Sequence, residues 1–344
     1  MENDEYAEGS IFARFWQQPG ASPALVKKQL YAVYSRKIFC CYTKKSSAVD
    51  HGSLSEKTPL MIKKNLLSFA GGSLGLMGMI FVAIRINDYS SEINLFRFTS
   101  GEWLLILMAT FFYCAANILL ARAWWNILRS YQSPATFRWA VVVYGLSQLA
   151  KYIPGNIMHI AGRQTLGMHA GIPAGILVKS ALWEIGLFVF AGSLFSLMIL
   201  PLIYSDFSIV FWATAFILTT VAAWKITGFY SHDLGAAFAW AILFLIISGI
   251  IFTLIFMLSS ASSIANQYVP AICGAYVTAW LAGLLTPGAP AGAGVREIVL
   301  LFLLGGITLE ADLLLAVLIG RVVTVLGDFF FYILAFTVKL TKPV

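Results

Sequence analysis

Residues 235–258 carry no charged side chain, and residues 174–203 carry only Lys179 and Glu184. Wound as α-helices, such stretches are long enough to cross a hydrocarbon core of about 30 Å. Inside a bilayer every backbone N–H and C=O must be satisfied within the protein, which leaves helices or closed barrels. Continuous apolar runs without alternation point to helices. The expected fold class is therefore all-α, a polytopic helical membrane protein. Composition agrees: 59% of the 344 residues are hydrophobic and 11% are charged, against roughly 25% charged in a soluble domain. A water-soluble globular fold is excluded on that ground.

Charge is unevenly spread. Residues 1–65 hold ten Lys/Arg and six Asp/Glu, and the remainder is about 8% charged. Two regions follow: a polar, basic, weakly ordered N-terminal tail over 1–63, and a transmembrane domain over 64–340. The formal net charge of +7 does not indicate nucleic acid, because the basic residues lie in the tail and at helix ends, where membrane topology accounts for them. Cys40, Cys41, Cys114 and Cys273 match neither a metal spacing nor a disulfide framework. The sequence implies no cofactor.

Hydropathy predicts spans at 66–86, 103–123, 174–203, 207–227, 235–259, 268–285 and 311–339, with shorter apolar pieces at 139–153 and 296–306. The basic residues Lys63, Lys64, Arg122, Arg129, Arg138, Lys339 and Lys342 place both termini in the cytoplasm of a plasma (inner) membrane protein. Residues 87–102, 260–267 and 307–312 are then external.

The two short pieces sit beside Pro-Gly breaks. The first reads Lys151-Tyr152-Ile153-Pro154-Gly155, with Arg163 after it; the second reads Thr286-Pro287-Gly288, with Arg296-Glu297 after it. In both, an arginine follows the proline by nine residues. Each short piece reads as half of a re-entrant hairpin, and three spans between the hairpins give an inverted repeat with two broken helices meeting near the midplane. A chance match of common loop residues is the plainer reading. Non-helical backbone at membrane depth must be packed in protein or line a wet cavity. Freed amides, helix N-termini, Lys151, Arg163 and Arg296 would then favour an anion, with phosphate the natural choice. For Lys151 and Arg163 the alternative is a cytoplasmic loop that is merely basic.

Arg321 and Asp328 lie well inside the apolar stretch 311–339, where a charge costs about 2.5–3.5 kcal/mol on insertion scales. Seven residues apart, they share a helix face at about 10 Å, too far for a direct bond. Each needs a partner from elsewhere. Glu184, Arg296, Glu297, Arg321 and Asp328 are accordingly expected to form one buried network, which either ties helices together or binds substrate. His159 and His169 read as loop or interfacial residues. Trp124, Trp125, Trp139 and Trp212 read as belt anchors. Zinc, nucleophile-elbow, Walker-type and paired-aspartate motifs are all lacking, so no catalytic or metal residue is assigned.

Two motifs carry a resemblance. Tyr152-Ile153-Pro154-Gly155 is similar to the Tyr-Leu-Pro-Gly segment of the lysylphosphatidylglycerol synthase transmembrane region, the flippase-like membrane family. Pro290-Ala291-Gly292-Ala293-Gly294-Val295-Arg296-Glu297 is similar to that family's Pro-Gly-Gly-x-Gly-x-Arg-Glu, departing at Ala291, where the family usually has glycine. The likeness runs over about residues 64–340. It implies a protein of the cell envelope that handles a phosphate-bearing lipid, either phospholipid or a polyprenyl-phosphate-linked glycan. Some members carry a cytosolic synthase domain that this chain lacks, so aminoacyl transfer is not carried over. Lys151, Pro154, Gly155, Arg163, Glu184, Pro290, Gly292, Gly294, Arg296, Glu297, Arg321 and Asp328 are the expected substrate-binding residues. A membrane-embedded transferase using Glu184 or Glu297 as base, or a scaffold for a glycosyltransferase or synthase partner, is the alternative.

Overall fold

A computed structural model describes residues 98–152, 158–202, 208–260, 264–286 and 288–341, with isolated positions at 80, 84 and 87. The expected tail (1–63), the span at 66–86, and Pro154, Gly155 and Pro287 of the breaks lie outside the described residues.

The protein is an all-α polytopic membrane protein. Among the described residues six helical stretches are long and apolar enough to cross a membrane: Ser100–Ser130, Ala174–Leu202, Ile209–Tyr230, His232–Ser259, Asn266–Leu285 and Glu310–Lys339. We number the α-helices α1 (Ser100–Ser130), α2 (Phe137–Gln148), α3 (Met158–His169), α4 (Ala174–Leu194), α5 (Ile209–Tyr230), α6 (His232–Ser259), α7 (Val269–Leu285), α8 (Val295–Leu304) and α9 (Glu310–Thr341).

Helix α1 starts earlier than hydropathy suggests because Thr99 and Glu102 form a capping box. The Thr99 amide donates to Glu102 Oε2 at 2.7 Å, and the Glu102 amide donates to Thr99 Oγ1 at 3.3 Å. The box satisfies two otherwise orphan amides. It ends past the predicted limit with Arg129 in its last turn, where a cation suits the helix dipole.

Helices α1, α6 and α9 pack on one another and form the middle of the bundle. Small residues let the backbones approach. A Cβ on Gly327 of α9 would lie 2.7 Å from the Tyr113 ring of α1, and one on Gly145 of α2 would lie 2.4 Å from Ala335 Cβ of α9. Helix α5 lies at the edge, with only 11% of its apolar window buried, as expected of a helix whose sides face lipid.

Both short pieces are broken helices. The first is α2 continued by a one-turn 3₁₀ segment, Leu149–Tyr152, with α3 packed back against α2. The second is α7 followed by the 3₁₀ turn Pro290–Gly292 and then α8, which packs on α7. The two 3₁₀ turns touch. The equal spacing from proline to arginine does not give the arginines equal places. Arg163 lies mid-helix in α3, while Arg296 stands in the first turn of α8.

Candidate functional site

Three charge clusters meet around the touching turns. In the first, Arg163 Nη1 donates to Glu184 Oε1 at 2.7 Å, and Tyr144 OH donates to the same oxygen at 2.9 Å. The guanidinium lies 4.3 Å from the Tyr144 ring centroid and 5.4 Å from that of Trp124. Trp124 is fully buried and donates its indole N–H to Ser180 Oγ at 3.3 Å. It is therefore the wall behind Arg163 rather than the interfacial anchor expected of it. Arg163 is 2% exposed, which removes it from the class of basic loop residues.

The second cluster surrounds Asp328, which exposes no surface. Its Oδ2 accepts from Lys151 Nζ at 2.6 Å and Tyr152 OH at 2.5 Å, and its Oδ1 accepts from Gln148 Nε2 at 3.2 Å. Gln148 also donates to Asn117 Oδ1 of α1 at 2.9 Å. All three donors to Asp328 come from α2 and its 3₁₀ extension. One carboxylate thus fastens the first hairpin arm to α9.

The third cluster stabilises the second break. Arg321 pairs through Nε with Glu297 Oε1, and its Nη1 and Nη2 donate to the carbonyls of Ala291 and Gly292, each at 3.2 Å. The other oxygen of Glu297 accepts from the Gly294 amide at 2.7 Å. The freed carbonyls and one freed amide of the break are therefore satisfied from within the chain, as a buried irregular backbone requires.

Here Ala291 adopts φ 49° and ψ 27°, the left-handed conformation, where a Cβ is costly. Gly292 and Gly294 also have positive φ, 69° and 84°. Gly292 lies so close to Gly283 of α7 that a Cβ on it would stand 2.6 Å from the Gly283 Cα.

The expected single network of Glu184, Arg296, Glu297, Arg321 and Asp328 is therefore corrected to three separate pairs: Glu184 with Arg163, Asp328 with Lys151, and Glu297 with Arg321. Lys151, Arg163 and Arg321, all expected to bind substrate, are the counter-ions of buried acids. Arg296 differs from them. Its guanidinium lies 5.7 Å from the Tyr276 ring centroid, and its Nη2 is buried with no hydrogen-bond partner among the described residues.

A cavity of about 80 Å³ brings these groups together, room for several waters on that measure. Its polar side holds Lys151, Arg163, Glu184, Arg296 and Asp328; Phe188, Phe244 and Trp280 form an aromatic side. Those three rings pack edge to face, Phe188 on Trp280 at 5.5 Å and Phe244 on Trp280 at 6.0 Å. Glu297, Arg321, Gly292 and Gly294 stand outside this lining, and Pro290 belongs to the turn they brace. His159, expected at a loop or interface, also lines the cavity, and its Nδ1 is buried without a partner among the described residues. His169 is exposed.

Sequence reasoning missed Tyr144, Gln148 and Tyr152. Their signal was present: spaced four residues apart along a short apolar helix, they form a polar stripe on one face. Among the described residues no cluster of three His, Cys, Asp or Glu side chains has the arrangement of a metal site.

No family model and no curated protein matches the chain.

Proposed function

We propose that this chain is a lipid-handling membrane protein of the flippase-like kind, which binds or translocates a phosphate-bearing lipid with the phosphate seated beside Arg296. One observation carries the reading. Among the described residues the Arg296 Nη2 donor has no hydrogen-bond partner, while the other charged groups lining the cavity, Lys151, Arg163, Glu184 and Asp328, are ion-paired. Leaving a buried charged donor unsatisfied costs more than an average hydrogen bond returns. A phosphate oxygen is the acceptor that a guanidinium fork fits best. The aromatic side formed by Phe188, Phe244 and Trp280 suits the adjoining glycerol or the start of an acyl or prenyl chain, and the resemblance of the two Pro-Gly motifs points the same way.

In this reading Arg163, Glu184, Lys151 and Asp328 shape the cavity, while Pro290, Gly292, Gly294, Glu297 and Arg321 hold the second break rigid beneath Arg296. Both termini face the cytoplasm of the plasma membrane, and a synthase or glycosyltransferase partner supplies or consumes the lipid. A transferase with Glu184 or Glu297 as base has less support, because a guanidinium engages each carboxylate.

The test is reconstitution of the purified protein in liposomes, with binding and scrambling of a labelled phospholipid compared between wild type and Arg296→Ala. Binding weakened at least tenfold in the variant supports the assignment; equal binding removes it.

A further inference from the structure

We infer that the cavity is charge-matched to a monoanion and that Asp328 sets the match, so that a phosphodiester enters as it stands while a phosphomonoester enters only with a proton. This rests on the reading of the cavity as a phosphate site. Among the described residues its lining holds three cations, Lys151, Arg163 and Arg296, and two anions, Glu184 and Asp328. His159 is counted as neutral imidazole, because burial and the neighbouring charges of Arg163 and Lys151 hold its pKa well below the ordinary value. Behind the wall, Arg321 and Glu297 cancel each other. The chain from 153 to 157 reads Ile-Pro-Gly-Asn-Ile and adds no charge. One positive charge is therefore in surplus.

In a low-dielectric interior an imbalance of one charge is costly, and the site resists it. A phosphodiester monoanion brings the total to zero. A phosphomonoester dianion overshoots by one negative charge, and it does so next to a carboxylate. Like charges that close cannot both stay ionised, so one proton must be taken up, either by the phosphate, whose second ionisation lies near 6, or by Asp328.

The acid that feels the ligand is Asp328 rather than Glu184. Glu184 is closed off by Arg163 and Tyr144, whereas the partner of Asp328, Lys151, lies within electrostatic reach of Arg296 and Arg321. Asp328 is faced by Lys151 and Tyr152 from the turn, Gln148 from α2, Tyr113 and Cys114 from α1 and Tyr276 from α7. The tyrosines and the thiol are uncharged near neutral pH and leave the count unchanged.

Because binding of the dianion takes up a proton, its affinity falls as pH rises, by up to about tenfold per unit above the second ionisation. A phosphodiester has no second ionisation and shows no such slope.

The experiment measures binding of short-chain phosphatidylglycerol, a diester, and short-chain phosphatidic acid, a monoester, to the full chain in nanodiscs at pH 6.5, 7.5 and 8.5. Wild type should favour the diester by about tenfold or more at pH 8.5, with a falling slope for the monoester alone. Asp328→Asn raises the surplus to two, so the slope should vanish and the monoester should bind at least as well as the diester. Lys151→Gln with Asp328→Asn restores a surplus of one and should restore the wild-type preference. If Asp328→Asn alone does not fold, the double variant and the wild-type pH series carry the test: a double variant without the wild-type preference, or a wild type without the falling slope for the monoester, overturns the charge match. Equal binding of both lipids by wild type at pH 8.5, or a ratio unmoved in the charge variants, overturns the charge match while leaving the phosphate site standing. Binding of both lipids that is indifferent to Arg296→Gln overturns the phosphate site itself, and the charge match with it.

Discussion

Arg321 and Glu297 are joined as an ion pair, and each also holds the backbone of the break that separates them from α7: the arginine takes two carbonyls and the glutamate one amide. The pair is a brace for non-helical chain. Arg321→Leu should therefore strand both a carboxylate and two carbonyls and lower stability by about 3 kcal/mol, the low end for a broken buried pair, because the Arg321 side chain keeps 22% of its surface exposed. Adding Glu297→Gln should recover part of the loss, since the uncompensated charge carries most of the penalty. Thermal unfolding of the purified variants checks both.

Ala291 and Gly292 make opposite predictions at neighbouring positions. Ala291 stands at φ 49°, so Ala291→Gly relieves a conformational cost of about 1–2 kcal/mol and gives back about half of it as chain entropy in the unfolded state. A small rise in melting temperature is expected. Gly292→Ala places a Cβ 2.6 Å from the Gly283 Cα at a positive φ and should lower the melting temperature clearly.

Arg163 and Arg296 should separate fold from ligand. Arg163 is buried against Glu184, Tyr144 and Trp124, so Arg163→Ala should cost about 3–5 kcal/mol of stability. Arg296→Ala should leave the melting temperature nearly unchanged while weakening lipid phosphate binding by about 1.5–3 kcal/mol, the worth of a hydrogen bond to a charged group. Loss of folding in both variants, or of binding in neither, would defeat the division of roles.

Gly145 tests whether packing sets the cavity. A Cβ there would meet Ala335 at 2.4 Å and the Phe331 carbonyl at 3.2 Å, so Gly145→Val should push α2 off α9 and cost about 1–3 kcal/mol. Because Gln148 and Lys151 follow within two turns on the displaced arm, ligand binding should fall as well, and Ala335→Gly, which removes the contacting Cβ, should recover only part of that loss because the Phe331 carbonyl still stands in the way.

Much of the molecule could be read from residue order. Span positions follow from the run of apolar residues, and the breaks follow from Pro and Gly, because both signals are local. That Arg321 and Asp328 needed partners was also legible, since the cost of a charge in an apolar helix does not depend on neighbours. Their partners were not. Which acid meets which base depends on the order and rotation in which helices pack, so five charged residues were expected as one network, whereas four of them are distributed among three pairs completed by Lys151 and Arg163, and Arg296 stands apart. His159 and Trp124 were misplaced for the same reason: near a predicted span end, sequence cannot tell the lipid side from the protein side. The polar stripe of Tyr144, Gln148 and Tyr152 was visible and passed over, since its hydroxyl and amide groups carry no charge to draw notice.

The two broken segments answer to the same rod. Asp328 grips the first through Lys151, Tyr152 and Gln148, and Arg321 grips the second through Glu297, Ala291 and Gly292; the two gripping residues stand seven positions apart on one side of α9, about 10 Å along its axis. Displacing α9 would break both of these ion pairs at once, whereas moving either segment alone would break one. A single helix is thus the common anchor of both segments.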